Sequence, residues 1–175
     1  MKIAVCIKRV PDMDVRFKIA PSGKAVDETG LKFDISDFDG YAVEAALQIK
    51  EKANAGEVAV ISLGGDVVQE TLRKAMSMGV DRAVQLKHDG APVDSHAIAT
   101  ARAAALKDGG WDLIMFGRMS IDTAHGAVGA MVAEMLGLPC VTAISKLEFD
   151  AALNEPLTLT RGTSPEDRRD SAYYA

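Results

Sequence analysis

Short apolar runs rich in Val and Ile recur along the chain: KIAVCIK (2 to 8), EVAVIS (57 to 62), RAVQLK (82 to 87), DLIMF (112 to 116) and CVTAI (140 to 144). Longer segments of helical period separate them. A strand buried on both faces reads as such a run, and a helix between successive strands makes them parallel. The pattern predicts an α/β fold in the order βαβαβαβαβ: a doubly wound, mostly parallel five-stranded sheet covered by helices on both faces.

The helical segments carry their own stop signals. Ala42, Ala45, Ala46 and Ile49 share one face between Asp39 and Asn54, and Asn54-Ala55-Gly56 closes that helix. Val68, Leu72, Ala75 and Met76 repeat the spacing up to Gly79, with Glu70 and Lys74 as an outward i, i+4 pair. Asp94 to Lys107 is Ala-rich and closes on Gly109-Gly110; Val128, Met131, Val132, Met135 and Leu136 form the stripe of a fourth helix, closed by Gly137 and Pro139. Residues 9 to 36 break the rhythm. There VRFKIA and LKFDIS alternate apolar with polar around Pro21-Ser22-Gly23 and Thr29-Gly30, which predicts a hairpin insertion after the first strand.

Residues 1 to 150 are therefore expected to form one α/β domain, and residues 151 to 175 a polar C-terminal tail in which LTLT (157 to 160) is a strand. With 175 residues, 48% of them hydrophobic, there is material for one core. Twenty Lys and Arg against 25 Asp and Glu, without a basic run, point away from nucleic acid. No apolar run approaches the roughly 18 residues of a membrane span, and the N-terminus lacks a signal-peptide core, so a soluble, cytoplasmic protein without membrane insertion is expected. Cys6 and Cys140 lie far apart without metal or redox spacing and are expected to be reduced core residues. Sequences that would mark a hydrolase, GxSxG or HExxH, are absent, and Lys8-Arg9-Val10-Pro11-Asp12 stands where a triphosphate-using relative would carry a Ser-Gly-Gly-x-Asp-Ser loop. No catalytic constellation and no metal site is expected.

A doubly wound sheet binds ligands outside the carboxyl ends of its strands, where the strand order reverses. In the Rossmann-like order 3-2-1-4-5, which adenine nucleotide alpha-hydrolase-like domains share, that crevice lies between the first and fourth strands. The loops leaving those strands start at Lys8 and Gly117, and the second opens the stretch GRMSIDTAHGAVGAMVAEMLGLP. With a helix starting near Asp122, the N–H groups of residues 123 to 126 would face the crevice with the positive end of the helix dipole behind them, a seat for phosphate. Gly126 and Gly129 would then lie in its first two turns, where each costs about 1 kcal/mol relative to Ala unless close approach requires it. The plainer alternative makes Asp122 an N-cap and the glycines an aid to packing. Ser62-Leu63-Gly64-Gly65 either borders the same ligand or is an ordinary turn, and His125 either donates to the phosphate or faces solvent.

MKIAVCIKRVPD, SDFDGYAVEAALQIKE, QETLRKAMSMGVDRAV and GRMSIDTAHGAVGAMVAEMLGLP, in this order, resemble motifs of the electron-transfer flavoprotein beta subunit family. That resemblance spans residues 1 to 149. It implies a heterodimer with an alpha subunit, FAD held mainly by alpha, and electron transfer from acyl-CoA or other dehydrogenases to an acceptor. The chain itself would not be an enzyme. It would bury AMP, or FAD in a bifurcating-type complex. Position by position, the resemblance puts adenine and ribose contacts on Cys6, Ser36 and Leu63, and phosphate contacts on Asp122, Thr123, His125, Gly126, Ala127, Val128 and Gly129. Ser36 stands where the family more often has Asn, and Ala127 where it commonly has Gln, which shifts affinity toward backbone N–H groups. Family members also continue beyond the length seen here, so the tail is expected to be short for the family. The alternative function is a stand-alone adenine-nucleotide-binding or sensor domain of the same fold, without electron transfer.

Overall fold

The structure is a computed structural model, which describes residues 1–23, 25–90, 93–150, 158–161 and 168–171. Its elements are β1 (Lys2–Ile7), β2 (Arg9–Pro11), β3 (Phe33–Ile35), α1 (Asp37–Ala53), β4 (Glu57–Gly64), α2 (Val68–Ser77), β5 (Arg82–Lys87), α3 (Ser95–Leu106), β6 (Leu113–Phe116), α4 (Val128–Leu136), β7 (Ile144–Glu148), β8 (Thr158–Arg161) and β9 (Arg168–Ser171).

The central sheet is parallel with strand order β5-β4-β1-β6, so β1 runs between β4 and β6 and the order reverses beside it. Alternation along β1 divides the core. Ile3, Val5 and Ile7 pack with Val43, Leu47 and Leu72 of α1 and α2 on one face. Ala4 and Cys6 pack with Ala99, Ala103 and Val132 of α3 and α4 on the other. Burying each such Val, Ile or Leu contributes about 1.5–3 kcal/mol. This is the doubly wound α/β architecture that the apolar runs imply.

Helix ends follow the expected chemistry. Asn54 (φ 47°) and Gly137 (φ 67°) close α1 and α4 in the left-handed conformation, and the Asp94 carboxylate accepts the Ala97 N–H at 2.8 Å to cap α3. The insertion is a hairpin: β2 pairs antiparallel with β3, Ile19 bridges Val26, and Gly23 (φ 68°) donates its N–H to Ala20 across the Pro21-Ser22 turn.

The fifth parallel strand does not form. Gly137 and Pro139 end α4, residues 138–143 run without strand pairing, and Ala143 takes a left-handed φ of 57° that interrupts the extended run CVTAI. Ile144 to Glu148 instead pair antiparallel with β8, and β8 with β9, in a separate three-stranded sheet. Among the described residues the central sheet thus has four strands. A cavity of about 590 Å³ lies along the outer side of β6, lined by α1, α4 and the segment 138–147, where a fifth strand would lie. Cys140 is consequently exposed, contrary to the expectation that both cysteines are core residues, while Cys6 is buried; both are free thiols. The expected strand at 157 to 160 appears as Thr158–Arg161; Leu157 and most of the tail fall outside the described residues.

Candidate functional site

The carboxyl ends of β1 and β6 are joined through one carboxylate. Asp39, in the first turn of α1, accepts the Lys8 N–H at 2.8 Å through Oδ2 and the Gly117 N–H at 3.0 Å through Oδ1. A Cβ on Gly117 would run into this carboxylate and its backbone, which explains glycine at that position. Burial pushes the Asp39 carboxyl up to about 6, against the opposing pull of the Lys8 and Gly117 N–H groups and of the Arg102 charge. Ser36, fully buried, adds a second tie: its N–H donates to Lys8 O at 3.0 Å and its Oγ accepts the Ile121 N–H at 3.4 Å.

These ties hold open a cleft of about 130 Å³ at the carboxyl ends of β1, β4 and β6. Lys8, Leu63, Arg102, Thr123, His125 and Gly129 are among its lining residues. Lys8 Nζ reaches across it to Asp122 Oδ1 at 2.7 Å, with Ser120 Oγ and Thr123 Oγ1 both at 3.4 Å. Burial raises the Asp122 carboxyl, but the Lys8 and Ser120 hydrogen bonds outweigh it and hold the group below its ordinary value. The volume lies below the roughly 300–1,000 Å³ of a pocket that swallows a whole ligand. It suits a phosphate and its immediate neighbours.

The helix after this turn starts later than expected. α4 begins at Val128 with Ala127 as N-cap and no side-chain cap, so Asp122 is not an N-cap; Lys8 takes its carboxylate instead. The N–H groups of residues 123 and 124 are also occupied, by Asp122 Oδ1 at 2.9 Å and Ser120 O at 2.9 Å. The first helical bond runs from the Met131 N–H to Ala127 O, so the N–H groups of Val128, Gly129 and Ala130 precede it without a helical acceptor. They carry the positive end of the helix.

Among the residues anticipated from sequence, Leu63, Thr123, His125, Gly126, Val128 and Gly129 line the cleft. His125 does so while exposed to solvent. Cys6 is buried in the core on the α3 and α4 side, where burial raises its thiol to about 11. Ser36 is enclosed behind the turn, Asp122 approaches through its ion pair, and Ala127 is exposed at the helix start. The glycines pack closely as well: a Cβ on Gly126 would lie 2.8 Å from Arg118 O, and one on Gly129 3.2 Å from the Phe116 ring. Lys8 as a side chain, Asp39 and Arg102 were missed. The signal for Arg102 was its place beside Ala99 and Ala103 on the buried face of an otherwise small-residue helix.

Comparison with known proteins decides the family. The model of the electron transfer flavoprotein domain matches residues 24–164, most of the chain. The chain belongs to the electron-transfer flavoprotein beta subunit family. It is 36% identical over 149 residues to the electron transfer flavoprotein subunit beta of Syntrophomonas wolfei, with 85% of this chain and 58% of that protein covered. The Bacillus subtilis subunit beta is 34% identical over 172 residues, covering 97% of this chain and 62% of its own length. That of Mycobacterium tuberculosis is 39% identical over 155 residues, covering 85% and 58%. The chain thus spans about 58 to 62% of the length of these beta subunits. No helix among the described residues is long and apolar enough to cross a membrane.

Proposed function

We propose that this chain holds an adenine nucleotide, AMP or FAD, in the switch-point cleft. In this reading it pairs with an alpha subunit as a cytoplasmic electron carrier between acyl-CoA or other dehydrogenases and an acceptor. The observation that carries the nucleotide assignment is the convergence, at the reversal of strand order, of the Lys8 ammonium with the N–H groups at the start of α4 that precede its first helical bond. A flavin held with the alpha subunit supplies the redox chemistry.

This chain's part is to bind and orient. Phosphate competes with the Asp122 carboxylate for Lys8 Nζ, so binding exchanges one anion for another at a preformed cation. Val128 and Gly129 offer N–H donors. Asp39 and Ser36 keep the loops after β1 and β6 in register, and Leu63, half-buried at the end of β4, provides apolar surface for the sugar and base.

The test is mass spectrometry of the small molecules released by acid from the purified chain, with thermal-shift titrations of AMP, ADP and FAD. A retained adenine nucleotide, or stabilisation by one of the three, is expected; neither would overturn the reading. Co-expression with an alpha subunit separates the carrier from the stand-alone domain: a complex containing stoichiometric flavin supports the former, and nucleotide binding without any complex favours the latter.

A further inference from the structure

Arg102 is buried to a degree that arginines rarely reach unless paired. It lies on the inner face of α3 with Ala99, Ala103 and Leu106, and only 7% of its surface is exposed. Its charge is permanent and it carries five N–H donors in a planar fork. Nη2 donates to Ile7 O at 2.9 Å, and Nε is buried without an acceptor. Among the described residues no carboxylate pairs with it: Asp39 is held by the Lys8 and Gly117 N–H groups and Asp122 by Lys8 Nζ. The fork, 5.8 Å from the Phe116 ring centroid, stands on the wall of the same cleft that Lys8, His125 and the start of α4 line.

A buried guanidinium with one N–H lacking an acceptor is costly as it stands, and an anion in the cleft that Arg102 and Lys8 both line would offset its charge. We propose that Arg102 contacts the phosphate of the bound nucleotide and sets the preference for phosphorylated over unphosphorylated adenine ligands. The proposal rests on the nucleotide reading of the cleft. Arg102 adds a side-chain donor opposite the helix start, where Ala127 has none to offer. The guanidinium also braces Ile7 O, so a purely architectural role has to be separated from a binding one.

Arg102→Gln makes that separation, because Gln keeps an N–H donor for Ile7 O and loses the charge. Calorimetry of the parent, Arg102→Gln and Arg102→Lys proteins with AMP and with adenosine reads it. AMP affinity is expected to fall roughly 10- to 100-fold in the Gln protein. Adenosine affinity should stay within about two-fold, and the Lys protein should have an intermediate AMP preference. Equal losses for AMP and adenosine, or unchanged AMP affinity, would overturn the role of Arg102 while leaving the nucleotide reading intact. A parent protein that binds neither ligand overturns the role of Arg102, and one that in addition neither binds FAD nor releases a nucleotide on acid treatment overturns both. Should the Gln protein not fold, the Lys protein decides alone: an AMP-to-adenosine preference equal to the parent's refutes the proposal, and a reduced one supports it.

Discussion

At the scale of single residues, Asp39 is held by opposing forces. Burial favours its neutral form, while two backbone N–H donors and the Arg102 charge favour its ion; burial dominates, and its folded pKa of about 6 lies above the ordinary 3.8. Its stability contribution is therefore fully present below the unfolded value and is lost as pH rises through about 6. Urea unfolding of the parent and Asp39→Asn proteins at intervals from pH 4 to 7 checks this. The stability difference should move in favour of Asn by roughly 2–3 kcal/mol over that window and then level off; a difference independent of pH would refute it. The sequence gives no hint of this carboxylate. An Asp in the first turn of a helix reads as local dipole chemistry, and its partners, Lys8 and Gly117, lie 31 and 78 positions away. For Arg102 the small-residue face of α3 is the only local sign, since Ile7 O, its acceptor among the described residues, is 95 positions distant.

Elements were more legible than their joints. The helix stops at Asn54 and Gly137 were readable because a left-handed closing residue is a local property of Asn and Gly. The start of α4 was not, because the capping preference of Asp122 lost to an ion pair with Lys8, 114 positions away. The run CVTAI had the composition of a buried strand, but Ala143 breaks its backbone and β8 offers a partner to the residues that follow. The late start of α4 leaves Gly126 outside the helix in which the sequence pattern puts it. Gly126 precedes the helix, so replacing it brings no gain in helix propensity, and its added Cβ would meet Arg118 O at 2.8 Å. Gly126→Val should therefore lose about 1–3 kcal/mol even without nucleotide, read by thermal unfolding of ligand-free protein. If nucleotide also fills the cleft at 100 times its dissociation constant, losing it removes about 2.7 kcal/mol more. A variant as stable as the parent would refute this and show that the turn after β6 yields to the added side chain.

For the whole molecule, the strand order sets a timetable for synthesis. β1 is made first yet sits inside the sheet, flanked by β4 and by β6, whose last residue, Phe116, follows the end of β4 by about 50 positions. At the roughly 5–20 residues per second of translation, β1 waits on the order of 3–10 s between meeting its first neighbour and its second. Until Gly117 emerges, the carboxylate of Asp39 has the Lys8 N–H alone to accept, and Arg102 has reached β1 before the cleft has its other wall. Ribosome-bound chains stalled with Lys107 clear of the exit tunnel should thus remain open to protease within β1, while chains stalled with Leu136 clear should resist. Equal resistance at both lengths would mean that β1, β4 and β5 of the central sheet fold without β6. In that case the central sheet acquires its structure in two instalments, and the cleft arrives with the second.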